Sequence, residues 1–188
     1  MNICHDHEFI LWALPRTASR FIYASIKNLG SMPPLTHRVG MPSEYAHYSV
    51  VCSVRNPYTR VLSAWKWMNA VGNDEYFPES FPEFVQQHIP TRGIRPITEE
   101  LGQLRERVTY LVRTESVMGD LRKLPWVPDN HTFPKGNYQS AYAGGSPPDF
   151  YDKGSQETVR SLYINDFKEF AYDPDVIPDE FEWVRTCR

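Results

Sequence analysis

Cysteine is scarce in this chain and falls into no pattern. Cys4, Cys52 and Cys187 make an odd count without C-x-x-C spacing, which indicates neither a disulfide framework nor a zinc knuckle. No apolar run approaches the length that crossing a bilayer requires. Where a signal peptide would carry its basic and apolar regions stand Cys4, His5, Asp6, His7 and Glu8. Cytoplasmic residence with no membrane partner is the expectation, and this short tract reads as a solvated terminus rather than a metal site. Positive charge is not in excess: the formal net charge of −3 offers no general attraction for nucleic acid. Any anion binding must therefore come from local arginines. The G-x-x-x-x-G-K-[ST] spacing of nucleoside triphosphatases is also missing, which counts against a phosphotransferase using magnesium–ATP.

What the chain does have is the make-up of an ordinary globular protein. Its 188 residues, 41% hydrophobic and 23% charged, suit a single compact domain over residues 1–188 with a substantial core. No internal repeat or low-complexity tract interrupts it. Strand and helix patterns alternate. Phe9 to Leu14, Ser49 to Cys52 and Val108 to Val112 read as buried strands. A helix carries Phe21, Ile22, Ser25, Ile26 and Leu29 at spacings of three and four, with Gly30 as its stop. Further helices are expected over Phe81 to His88, about Thr98 to Glu106, and about Gln156 to Phe167. The last carries the stripe Val159, Leu162, Tyr163, Asp166, Phe167 and Phe170, read as core packing. Such alternation predicts an α/β fold in three layers, with a central, mainly parallel sheet flanked by helices. Pro125 to Pro148 reads as a long ordered loop, and Asp173 to Glu182 as an acidic, proline-containing segment.

Two places in this pattern suit an anion. The strand at Phe9 to Leu14 runs into Pro15, Arg16, Thr17, Ala18, Ser19 and Arg20 just before the first helix. A strand, a short loop and a helix N-terminus together offer backbone N–H groups and a positive dipole end. Arg16 adds fixed charge, and Thr17 and Ser19 add hydroxyls. The second place follows Ser49 to Cys52: Arg55 closes the strand, Pro57 can open a helix, and Ser63 lies eight residues after Arg55. There an arginine and a helical hydroxyl can converge on one phosphate. An arginine at the end of an apolar strand is costly without an anionic partner, which favours the phosphate reading for Arg55. Arg60 stays open between a phosphate ligand and an ordinary paired arginine.

These two elements resemble the cofactor sites of sulfotransferases that use 3′-phosphoadenylyl sulfate (PAPS). In that family a loop of the form P-K-[ST]-G-[ST]-[ST] holds the 5′-phosphosulfate, and an arginine followed eight residues later by a serine holds the 3′-phosphate. Pro15 to Ser19 match the first motif, and Arg55 with Ser63 the second. Leu35-Thr36-His37-Arg38 resembles the short strand that carries the family's base, which makes His37 the candidate base and His47 its competitor. Ser80 to Val85, Tyr110 to Glu115, Gly119-Asp120-Leu121 and Tyr163 to Phe167 with Phe170 to Tyr172 extend the likeness over most of residues 8–172, nearer the carbohydrate-type branch. The resemblance implies a P-loop nucleotide-kinase-like sulfotransferase fold, with PAPS as donor, 3′,5′-adenosine bisphosphate (PAP) as product and no metal. A carbohydrate or other hydroxylated acceptor is implied, with Trp65, Trp67, Tyr76 and Phe77 as possible cleft residues. Lys135-Gly136 offers a further phosphate contact or an ordinary turn. The chain is short for that family, so a second subunit could complete the acceptor site.

Two positions depart from the family loop. Arg16 replaces the lysine that usually reaches the leaving phosphate, keeping charge but not the compact ammonium. Ala18 replaces a glycine, and its methyl group is unfavourable if the backbone there needs a positive φ. Two other readings stand beside the sulfotransferase: a non-catalytic module that binds adenosine bisphosphate, and, on weaker grounds, a P-loop phosphotransferase.

Overall fold

The computed structural model describes residues 2–35, 43–71, 80–89, 94–134 and 145–179. The chain is α/β, with a four-stranded, mostly parallel sheet and seven helices among the described residues. They form two compact units. The first lies within Met1–Val54 and Gln103–Gln139, the second within Arg55–Gly102 and Ser140–Phe181.

The first unit holds the sheet, in the order β1-β2-β3-β4: Asn2–Cys4, Phe9–Trp12, Ser49–Val54 and Val108–Arg113. β1 runs antiparallel to β2, while β2, β3 and β4 are parallel neighbours. In β2 and β3, Phe9, Ile10, Leu11, Val50, Val51, Cys52 and Val54 are all buried. Such continuous apolar runs belong to parallel strands covered on both faces, where both sets of alternating side chains leave water. Helix α1 (Ser19–Ile26) buries Phe21, Ile22, Ser25 and Ile26, the stripe its spacing predicts, and joins Phe9, Leu11, Val51 and Val112 in one core. Helix α5 (Val117–Leu121) supplies Val117 and Leu121 to the same core.

Two expectations for this unit change. The N-terminal tract is solvated only in part: Cys4 closes β1 and is fully buried, whereas His5, Asp6 and Glu8 stay exposed in the turn that follows. The antiparallel register Asn2↔Leu11 satisfies its backbone, and burial pushes the Cys4 thiol pKa up. Gly30 does not stop α1, which ends at Ile26. A Cβ at Gly30 would lie 2.5 Å from the Cys4 sulfur, so the glycine is required by close packing on β1.

The second unit is helical. Helix α2 (Pro57–Val71) begins with Pro57 after Asn56, whose side-chain oxygen accepts from the Tyr58 N–H at 3.0 Å. That is an N-cap followed by proline at the first helical position. Tyr58, Val61, Leu62 and Ala64 of α2 pack on Phe81, Phe84 and Val85 of α3 (Phe81–Gln87) and on Val159 of α6 (Lys153–Leu162). Ser80 caps α3 through the Glu83 N–H, and Asp152 and Ser155 form a capping box for α6.

Helical periodicity overran its ends twice here. The helix expected over residues 98–106 is α4 (Ile97–Leu101), stopped by Gly102 at φ 50° and continued as a 3₁₀ turn over Gly102–Arg107. The helix expected over 156–167 is two: α6, then α7 (Ile164–Glu169), broken at Tyr163. Leu162, the last residue of α6, is 39% exposed, while Val159, Tyr163, Asp166, Phe167 and Phe170 are buried. The described parts of the loop expected over 125–148 hold neither strand nor α-helix, and a 3₁₀ turn at Pro147–Phe150 closes it.

Candidate functional site

In the first unit, β2 leads into residues 13–18, which deliver the chain to the N-terminus of α1. Ala13 and Leu14 are buried and anchor the segment, Pro15, Arg16 and Ala18 are half-buried, and Arg20 is exposed. The backbone alternates in hand: φ is 65° at Arg16 and 57° at Ala18, with Thr17 between them outside the positive-φ region. Two of the three residues 16–18 thus have positive φ, and where left- and right-handed residues alternate, successive N–H groups can turn toward one anion. Ala18 is the N-cap of α1, and its carbonyl accepts the first helical bond, from Ile22 N–H at 3.0 Å. Alanine has no side-chain acceptor with which to cap the next amides.

Thr17 behaves differently from its sequence reading as an anion donor. It is fully buried, its hydroxyl donates to the Leu14 carbonyl at 2.8 Å, and it lies 2.6 Å from Ser53 Oγ on β3. With its one proton committed to Leu14, Thr17 accepts from Ser53. Thr17 thus ties the loop to the sheet. Ser19 is the first residue of α1 and is buried. The fixed charge of this loop is that of Arg16.

In the second unit, Arg55 and Ser63 flank the first turns of α2. Arg55 is half-buried, and its Nε donates to Thr59 Oγ1 at 3.1 Å. Thr59 in turn donates to the Asn56 carbonyl at 3.1 Å. Thr59 and Ser63 are four residues apart and share a helix face, and both are buried. The spacing signal selected Arg55 and Ser63 but missed Thr59, which orients the guanidinium. Its i+4 position from both was the available clue. Arg60 is fully buried and donates from Nη1 to the Arg95 carbonyl at 2.8 Å, which holds the approach to α4. Lys66 was not anticipated either. It is 8% exposed, its ammonium sits 4.2 Å over the Phe150 ring, and burial lowers its pKa.

The remaining candidates are distributed as follows. His37, Tyr76, Phe77, Lys135 and Gly136 lie outside the described residues. His47 is exposed and packs edge-on against Tyr48 at 4.7 Å. Trp65 packs against Phe81 and Phe150 as part of the second unit's core cluster, whereas Trp67 is 37% exposed. Among the described residues no group of three or more metal-ligating side chains is assembled, and no helix is long and apolar enough to cross a membrane. No family model, no curated protein and no solved structure matches the chain, so motifs and geometry carry the functional reading between them.

Proposed function

We propose that this chain is a PAPS-dependent sulfotransferase acting on a hydroxyl or amine acceptor. The observation that carries the reading is the loop after β2: two non-glycine residues, Arg16 and Ala18, are held left-handed at a helix N-terminus. Backbone strain of this kind costs on the order of 1–3 kcal/mol per residue and gathers at ligand clamps. The position coincides with the sequence motif Pro15 to Ser19.

In the proposed reaction the acceptor oxygen forms a bond to sulfur as the bond from sulfur to the bridging phosphate oxygen breaks. The acceptor proton passes to His37, whose near-neutral intrinsic pKa suits a general base. Arg16 and the loop N–H groups stabilise negative charge growing on the departing phosphate, where electrostatic catalysis acts most strongly. Arg55 and Ser63 are assigned the 3′-phosphate, with Thr59 orienting Arg55. PAP is the nucleotide product, and the scheme uses no metal because the leaving group is already a stabilised phosphate. The finer fold assignment, to the P-loop-like sulfotransferase class with a carbohydrate or other hydroxylated acceptor, belongs to the same proposal.

Calorimetric titration with PAP, 5′-AMP and magnesium–ATP tests it. Binding that requires the 3′-phosphate is the expected result, and equal or absent binding of all three would overturn the reading. Arg16 in place of the family lysine favours one alternative, a module that binds PAP without catalysis. Sulfuryl transfer from PAPS in an acceptor screen separates the two.

A further inference from the structure

Arg16 and Ala18 hold a backbone conformation that L-residues keep only where their surroundings over-determine it. Thr17, between them, is where the surroundings act. Its side chain is fully buried and bonded in two directions, to the Leu14 carbonyl and to Ser53. Ser53 is the donor in the second bond, because the Thr17 proton is committed to Leu14. Ser53 is itself fully buried, one residue beyond the last β2–β3 pair, Trp12↔Cys52, and paired with Val112 of β4. Its hydroxyl therefore refers the loop to a rigid part of the sheet.

We propose that Ser53 is a positioning residue whose hydroxyl, acting through Thr17, fixes the loop over residues 15–18 in the form that receives the anion. The identity of that anion rests on the sulfotransferase reading, but the brace does not. Ser53 has no contact with the nucleotide in this scheme. Its effect is to order the loop amides before the ligand arrives, so that binding need not order them.

The test uses the full chain with Ser53→Ala and Thr17→Val, which remove a hydroxyl, and Ser53→Thr and Thr17→Ser, which keep one. Amide hydrogen exchange at residues 16–20 and calorimetric affinity for PAP are the two readouts. Ser53→Ala should speed exchange at those amides by roughly tenfold, the factor expected for losing one buried hydrogen bond, and Thr17→Val, which loses two, by at least as much, with β2 and β3 unchanged. PAP affinity should fall by a similar factor, and the variants that keep the hydroxyl should behave as the parent. Thr17→Ser supplies the control if the extra methyl of Ser53→Thr is not accommodated. Unchanged loop exchange in a folded Ser53→Ala protein would overturn the proposal, as would acceleration spread evenly over β2 and β3. Faster loop exchange with unaltered PAP affinity would also overturn it. If the parent protein does not bind PAP but its loop still loosens in Ser53→Ala, the nucleotide reading fails while the brace stands.

Discussion

Ala18 carries a methyl group at φ 57°, a conformation that disfavours any residue with a Cβ by about 1–2 kcal/mol. Ala18→Gly removes the clash and returns some of that gain as unfolded-state entropy, so a rise in stability of about 1 kcal/mol is expected in urea unfolding. A fall would mean that the methyl group makes packing contacts outweighing the strain. The proposed roles also separate by residue. Arg55→Ala should weaken PAP binding by about 1.5–3 kcal/mol, the worth of a charged hydrogen bond, in a calorimetric titration. His37→Ala should leave PAP affinity nearly unchanged and abolish sulfuryl transfer. Normal turnover would move the base to His47 or an acidic side chain. Arg16, Arg55 and Ser63 could be picked out from spacing because charge and hydroxyl placement are linear features. That Thr17 points inward could not, because the choice depends on Ser53, thirty-six residues away.

Helix α4 is five residues long and preceded by Pro96, which has no side-chain acceptor for its first amides. The cap comes from another helix. Asp166 of α7, fully buried, accepts from the Ile97 N–H at 2.7 Å, the Thr98 N–H at 2.8 Å and the Thr98 hydroxyl at 2.7 Å. Asp166→Ala would leave these donors buried without their acceptor, so a loss on the order of 3 kcal/mol is expected from chemical denaturation. A loss below about 1 kcal/mol would show that water replaces the carboxylate. The end of α7 makes the opposite case. Tyr172 N–H bonds to the Phe167 carbonyl at 2.9 Å and Ala171 N–H to Lys168 at 3.4 Å, with Ala171 at φ 55°. This is a Schellman ending with alanine where glycine is preferred. Periodicity located α1, α3 and the α6–α7 region because apolar spacing is local. It ran through Tyr163 because the break there accompanies the bond from the Tyr163 hydroxyl to the Ile94 carbonyl, which no local pattern encodes.

For the whole molecule, the acid limb of stability depends partly on Asp120, 7% exposed on α5 with its carboxylate bonded to the end of β4. Burial pushes its carboxyl pKa up, but bonds from Lys123, the Arg113 N–H and the Ser116 hydroxyl outweigh that and hold it below the usual carboxylate value. A carboxylate depressed on folding contributes stability that is complete above its unfolded pKa, about 3.9, and is lost as pH falls through the lower folded value. Asp120→Asn should therefore be less stable at neutral pH and lose less on acidification below about pH 4. Parallel stability curves for the two proteins would assign the acid loss to other carboxylates. The strand order has no reversal among the described strands, so the usual argument for a ligand crevice at a switch point does not apply. The backbone of the 13–18 loop is what directs attention to the end of β2.

By itself the sequence determined the α/β class, the parallel pairing of its apolar strands, and where arginines and hydroxyls stand relative to strand ends. Those properties follow from local spacing and from solvent avoidance, which a linear pattern records. Tertiary structure decided the rest. It drew Asn2–Cys4 into β1 by antiparallel pairing and buried Cys4, turned Gly30 from a helix stop into a packing requirement against Cys4, and buried Thr17 on Ser53. Each outcome depends on groups distant in the chain meeting at fixed geometry, and sequence order does not carry that information.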